Sequence, residues 1–226
     1  RNADPTATAI ERLASLGTDF DMLITPPIKL SVTLNPDFAQ VEADQAQLNL
    51  SHHSLYLPEK RPFFLAGKDF FSFGGSDSNQ PFYSRRIGLN DDGEAQPILA
   101  GMRLLGRSGR NSFGFLSAQL GEQAWTPVNT RNASALRVKR DLFKRSSVGG
   151  LATVFTQGST MRSAAGLDIL LRNTEFMKKK TIELAAAGAL GWSDAEGQKG
   201  ETWGLALRWP NATWRGSLSW ERISAD

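Results

Sequence analysis

The feature that most limits how this chain can fold is a two-residue period running through its last third. In SAAGLDILLR, Ala165, Leu167, Ile169 and Leu171 alternate with Gly166, Asp168 and Arg172. In TWGLALRW, Trp203, Leu205, Leu207 and Trp209 alternate with Gly204, Ala206 and Arg208. TWRGSLSWER repeats the pattern, with Trp214, Leu218 and Trp220 opposite Arg215, Ser217, Ser219 and Glu221. Successive side chains of a strand point to opposite faces, so each segment has one apolar face and one small or charged face. The run from Ala185 to Leu190 has high helix propensity. Its flanks in TIELAAAGALGW alternate with period two, which predicts strand.

The same period is traceable upstream. Phe20, Met22 and Ile24 share a face, as do Ile28, Leu30, Val32 and Leu34 after Pro26-Pro27. Further on, Ile98, Ala100, Met102 and Leu104 oppose Gly101 and Arg103, and Leu136 and Val138 oppose Arg137 and Lys139. About ten strands of roughly 8 to 11 residues result, the length a tilted membrane strand needs. The connections alternate in length. They are short at 26–27, 107–110, 144–145, 173–176 and 210–212, long at 35–88, 122–131 and 193–201, and intermediate at 158–162. Tight turns on one side and longer loops on the other characterise an up-and-down membrane barrel. The predicted fold is therefore all-β: an antiparallel up-and-down, outer-membrane-type β-barrel or a large part of one. Residues 1–17 read as a linker or tail and 18–226 as the barrel domain, with a long irregular insert or plug over 36–96.

Two further patterns favour a membrane wall over a soluble sheet. Trp203 and Trp209 lie six residues apart on one face, as do Trp214 and Trp220. That spacing is about 20 Å along a strand, close to an apolar band flanked by aromatic girdles. With Trp192, these residues are expected at the membrane interfaces. The opposite face carries Arg103, Arg137, Lys139, Asp168, Arg172, Glu183, Arg208, Arg215 and Glu221, which suit a wet lumen.

Composition excludes several classes. With 26 basic and 23 acidic residues the net charge is only +3, too little to suggest a nucleic-acid partner in the absence of a basic run. Cysteine is absent, so disulfides and thiolate metal sites are excluded. No segment approaches the roughly 18 apolar residues of a spanning helix. The opening RNADPTATAIERLASLG lacks the apolar core of a signal peptide, so an export signal is expected to lie upstream or to have been removed.

Residues 35–88 hold most of the remaining chemistry. Asp37, Glu42, Asp44 and His52 are oxygen and nitrogen donors close enough in sequence for a hard cation. Their spacing matches neither an EF-hand loop nor an HExxH helix, and the same groups would serve a folded plug by bonding backbone amides and lumen arginines. Arg61, Phe63 and Phe64 could stack on a sugar or bind an anionic group; as a turn, the Phe pair would pack beneath the plug. Arg85 and Arg86 could pair with the acidic cluster or sit in a solvated turn. Together with Arg103, Arg137 and Arg208 of the wall they form the candidate lumen or insert binding set. Ser51, His52, His53 and Ser54 supply nucleophile and base types for an outer-membrane hydrolase, but neighbours on an extended segment point apart, so no triad follows. No catalytic residue is assigned and no cofactor is expected. A soluble β-barrel binding an apolar ligand is the remaining alternative.

At NPDFAQVEAD, PEKRPFFLAGKDFF and FYSRRIG, followed by the hairpins of ILAGMRLLGRSG and LRVKRDLF, the chain resembles a family of uncharacterised outer-membrane β-barrel domains. These usually lie downstream of a carbohydrate-binding family 9-like domain in large exported bacterial proteins. The resemblance runs from about Thr18 to at least Leu171. It implies a Gram-negative outer-membrane location, the lipid bilayer as partner, a larger parent and a barrel with further strands. A plugged barrel with a charged lumen is expected to pass or capture a solute, and the family's usual fusion partner makes an oligosaccharide the favoured class. Ala66 stands where an acidic residue is common in the family, so no carboxylate role is implied there. The family offers no catalytic residues to carry over.

Overall fold

The computed structural model describes residues 17–36, 59–74, 80–89, 96–121, 131–177, 179–194 and 197–225. The alternating segments form ten strands: β1 (Thr18–Thr25), β2 (Ile28–Leu34), β3 (Ile98–Ser108), β4 (Asn111–Leu120), β5 (Arg131–Leu142), β6 (Ser146–Gln157), β7 (Thr160–Phe176), β8 (Lys180–Ser193), β9 (Gln198–Pro210) and β10 (Arg215–Ala225). Each pairs antiparallel with its sequence neighbour, giving one up-and-down sheet in the order β1 to β10. The sheet is open, and among the described residues β1 and β10 have no partner on their outer sides. The Ala-rich run lies in β8, as its flanks predict.

Register assigns every strand residue to a face. Ser31, Arg103, Leu116 and Ala135 are successive partners, as are Gly149, Asp168, Ala187 and Gly204. These residues share the face on which residues 59–74 and 80–89 pack. We call it the insert face and the other the bare face. By the same register all nine charged residues expected on one side of the wall fall on the insert face, and Trp192, Trp203, Trp209 and Trp220 fall on the bare face.

The strands depart from expectation at four places. Ile98 is buried on the insert face, opposite to Ala100 and Met102, because the β3–β4 register shifts between Ile98 and Ala100. The β6–β7 connection is a two-residue turn, in which Gly158 (φ 57) takes the left-handed conformation a tight reversal needs. The β8–β9 connection shrinks to residues 194–197, while residues 173–176 continue β7 instead of turning. Trp214 precedes β10 and is exposed. The Asn211 side chain ties that connection to β8, accepting from Thr181 N–H at 2.8 Å and donating to Thr181 O at 2.9 Å.

Candidate functional site

The core lies between the insert and the sheet. Pro62 opens a single helical turn, α1 (Pro62–Leu65), with its φ already suited to the first helical position. Gly67, at φ 106, ends the turn and leads into a 3-10 turn over Lys68–Phe71. This short path delivers Phe64, Phe71 and Phe73 into the interface, where each is buried. Burial of each ring contributes about 2 to 3 kcal/mol. Their partners are the insert-face residues Leu116, Ala118, Leu120, Ala133 and Ala135, with Leu151 and Ala189 beneath Phe73.

Arg61 holds the insert to itself. Its Nε and Nη2 donate to the two Glu59 carboxylate oxygens at 2.9 Å each, Nη1 donates to Ile87 O at 2.6 Å, and Nη2 also donates to Ser84 O at 2.8 Å. Its Cζ lies 4.2 Å from the centre of the Phe64 ring. Four of its five N–H groups are thus used inside the insert. Burial alone would raise the Glu59 carboxyl. Hydrogen bonds from Arg61 and Ser84, with the Arg61 charge, outweigh that and hold it below its ordinary value. The same node fixes the 3-10 turn Ser84–Arg86, which carries half-buried Arg85 and exposed Arg86.

The wall grips the insert with arginines set against phenylalanines. Arg103 Nη1 donates to the Phe63 carbonyl, Nη2 donates to Ser31 Oγ at 3.0 Å, and the guanidinium lies 5.1 Å from the Phe63 ring. Arg107 lies 5.8 Å from the Phe70 ring and Arg137 lies 5.5 Å from the Phe73 ring. Arg137 is 1% exposed and forms a two-pronged pair with Asp168, at 2.6 Å (Nη1 to Oδ1) and 2.8 Å (Nη2 to Oδ2). Asp168 Oδ2 also accepts from Gly74 N–H at 3.2 Å. The pair bridges β5 and β7 across β6, where Gly149 leaves room for the guanidinium. Wall arginines therefore meet aromatic rings, a backbone carbonyl and a wall carboxylate. Asp37, Glu42, Asp44, His52 and His53, and with them the hydrolase alternative, lie outside the described residues.

Among the described residues, none beyond Gly74 lies over the insert face of β8 to β10. A cavity of about 430 Å³ opens there, lined by Gly74, Ala187, Ala206, Arg208, Ser219 and Glu221 among others. Its floor is small and its walls carry one cation, one anion and hydroxyl groups, so it can hydrogen-bond a polar solute. Among the described residues no aromatic ring lines it. Arg208 is thus the predicted arginine that lines this cavity, while Arg61, Arg103 and Arg137 hold the insert. Glu59, Phe70, Phe71 and Phe73 complete the site without having been singled out in the sequence. The FF-x-F spacing in KDFFSF was the available signal.

The bare face is apolar and open to its surroundings. Phe20, Met22, Leu136, Val138, Leu167, Leu184, Leu190, Leu205, Leu207 and Leu218 are all exposed there. The belt runs diagonally across the strands. The partner row that starts at Met22, Leu30, Leu104, Phe115 and Leu136 ends on Glu201 and Ser224. The row Leu171, Leu184, Leu207 and Leu218 lies six residues nearer the short-turn end. Trp203 packs over Gly188, where a Cβ would come within 2.4 Å of the ring. Next to it, Arg222 and Glu201 pair at 3.7 Å and mark the polar border.

The fold and site define a ten-stranded up-and-down sheet carrying an aromatic insert on a charged face. A family model described as "Domain of unknown function (DUF5916)" matches residues 3–102, a stretch that takes in β1, β2, the insert and the start of β3. No curated protein and no solved structure matches the chain.

Proposed function

We propose that residues 18–226 form the wall of an outer-membrane-type β-barrel, or a large part of one, in the outer membrane of a Gram-negative bacterium, with the insert as its plug. The bare face carries this reading. Its apolar area spans the whole sheet, whereas contiguous patches on soluble monomers reach only a few hundred Å². Strands tilted to a bilayer need an apolar belt that crosses their residue rows diagonally. Indole rings at its borders and a charged pair just beyond fit the two interfaces. Unpaired backbone cannot face hydrocarbon, so β1 and β10 require strand partners. Ten antiparallel strands allow them to meet each other antiparallel.

The function this supports is passage or capture of a small polar solute, oligosaccharides included. Wall charges and the insert set its selectivity, and the Arg208–Glu221 cavity is the first contact beside the plug. The test is gel mobility with and without heating after extraction in mild detergent, coupled to single-channel conductance of the chain and of a deletion of residues 36–96. Heat-modifiable mobility and higher conductance in the deletion are expected. A chain that stays monodisperse without detergent would overturn the lipid-facing assignment.

A further inference from the structure

Five hairpin connections of two to four residues, at 26–27, 109–110, 143–145, 177–179 and 211–214, lie at one end of the sheet, the short-turn end; the other end carries the long connections 35–97 and 121–130 beside tight ones at 158–159 and 194–197. The short-turn end is basic: Arg110, Arg140, Lys144, Arg145, Lys179 and Lys180 are exposed there against two nearby acids, Asp141 and Glu175. It is also aromatic. Phe143 is 82% exposed, Phe176 meets Trp209 edge-on at 5.5 Å, and Lys180 Nζ lies 6.0 Å from the Trp209 ring.

The same end has a step. The β6–β7 ladder stops at Ser147 and Leu170, yet β7 runs on to Phe176. Residues 171–176 therefore have no backbone ladder partner in β6. Arg172 N–H is taken by Ser146 Oγ at 3.1 Å, while Thr174, two residues on, has no β6 counterpart. The β5–β6 turn abuts this bare edge, and between them lies a cleft of about 610 Å³. Leu171, Leu184 and Leu207, successive partners on the bare face, make its apolar floor; Phe143, Lys144 and Arg145 stand at its mouth, with Glu175 the one carboxylate in the lining among the described residues.

We propose that this cleft docks an anionic phospholipid from the leaflet that meets the short-turn end. The headgroup phosphate sits between Lys144, Arg145 and the open β7 edge, and an acyl chain follows Leu171, Leu184 and Leu207 along the apolar belt. The proposal rests on the bilayer reading above. Charge complementarity selects the occupant: a basic mouth over an apolar floor fits a phosphodiester joined to a hydrocarbon chain, whereas a free anion would leave the leucines uncovered. Basic residues at a bilayer surface attract anionic lipid, each to an extent that falls with salt.

The test is binding of the detergent-purified chain to vesicles of phosphatidylcholine alone and of phosphatidylcholine with about a quarter phosphatidylglycerol. It compares the wild type, the Lys144→Gln/Arg145→Gln variant and a Lys60→Gln/Lys68→Gln variant that removes the same charge from the insert. The wild type should insert into both vesicles and prefer the anionic ones. Loss of Lys144 and Arg145 should lower that preference about 30-fold, from about fivefold per basic residue, without affecting the neutral vesicles. The insert variant should keep the preference. Preference retained by the Lys144→Gln/Arg145→Gln variant would overturn the cleft assignment while leaving the bilayer reading intact. Competition by inorganic phosphate at matched ionic strength would replace the lipid with a soluble anion and overturn the proposal. Failure to insert into either vesicle would overturn the bilayer reading and the proposal together.

Discussion

Gly149→Ala is the smallest change that tests how the insert is fastened. In an ordinary strand, alanine in place of glycine gains about 0.5 to 1 kcal/mol, because less backbone freedom is lost on folding. At Gly149 the added Cβ would lie 2.6 Å from Arg137 Nη1, 2.8 Å from Cζ and 2.9 Å from Nη2. Comfortable contact is about 3.5 Å, so the guanidinium must move by roughly 0.8 Å. It has little freedom to do so, with the Phe73 ring at 5.5 Å and the Asp168 carboxylate at 2.6 Å. Removing one partner of a buried pair costs about 3 to 5 kcal/mol, and loss of half that geometry costs about 2. The net effect is a destabilisation of about 1 to 1.5 kcal/mol, opposite in sign to propensity.

Gly191→Ala is the control, since its Cβ would meet only backbone oxygens at 3.8 Å. Urea unfolding of both variants in the same micelles, followed by circular dichroism, should show Gly149→Ala weakened and Gly191→Ala strengthened. If both shift in the stabilising direction, the guanidinium is not pinned and the reasoning is wrong. In an Arg137→Met/Asp168→Leu background the Gly149→Ala cost should vanish, because the coupled partner is gone.

Three other outcomes are expected. Because the Glu59 carboxyl is held below its ordinary value, its contribution is present above the unfolded-state value and fades as pH falls through the folded one. Proteolysis of the insert should therefore rise in acid for the wild type, and Glu59→Gln should be cleaved readily with that acid step absent. Thr33 is fully buried with Oγ1 unpartnered among the described residues, so Thr33→Val should stabilise by about 1 kcal/mol in urea titration. Leu207→Arg on the bare face should cost about 2 to 4 kcal/mol in folding into vesicles, whereas Ser217→Arg at an exposed position of the insert face should cost little; equal costs would argue against a lipid-facing belt.

The strands were legible because side-chain alternation is local: each residue declares its face through its immediate neighbours. The run at Ala185 was decided by its flanks, and the charged residues from Arg103 to Glu221 were sorted onto one face by period alone. The break at Ile98 was not legible, since a register shift depends on what the partner strand does. Nor was the role of the wall arginines. Their partners Phe63, Phe70 and Phe73 lie 30 to 65 residues away in the chain, and nothing local distinguishes a guanidinium that will meet a ring from one that will meet a carboxylate. Gly149 reads as a weak strand residue until Arg137 lies across it. The binding set divided on the same ground, with Arg61 absorbed into a network whose other members, Ser84 and Ile87, only the folded insert brings near.

The strand order also dictates a sequence of assembly. Eight of the nine strand pairs are joined by connections of 2 to 10 residues, whereas β2 and β3 are separated by residues 35–97. Closing that loop costs about 3 kcal/mol more entropy than closing a two-residue turn. The strands from β3 onward can zip hairpin by hairpin, and the β1–β2 ribbon joins last. Ser31 reaches the Arg103 guanidinium, which also meets Phe63, only when β2 is in place. The β1–β2 ribbon is thus the final stitch of the sheet, and it closes onto the strand whose Arg103 also holds the insert.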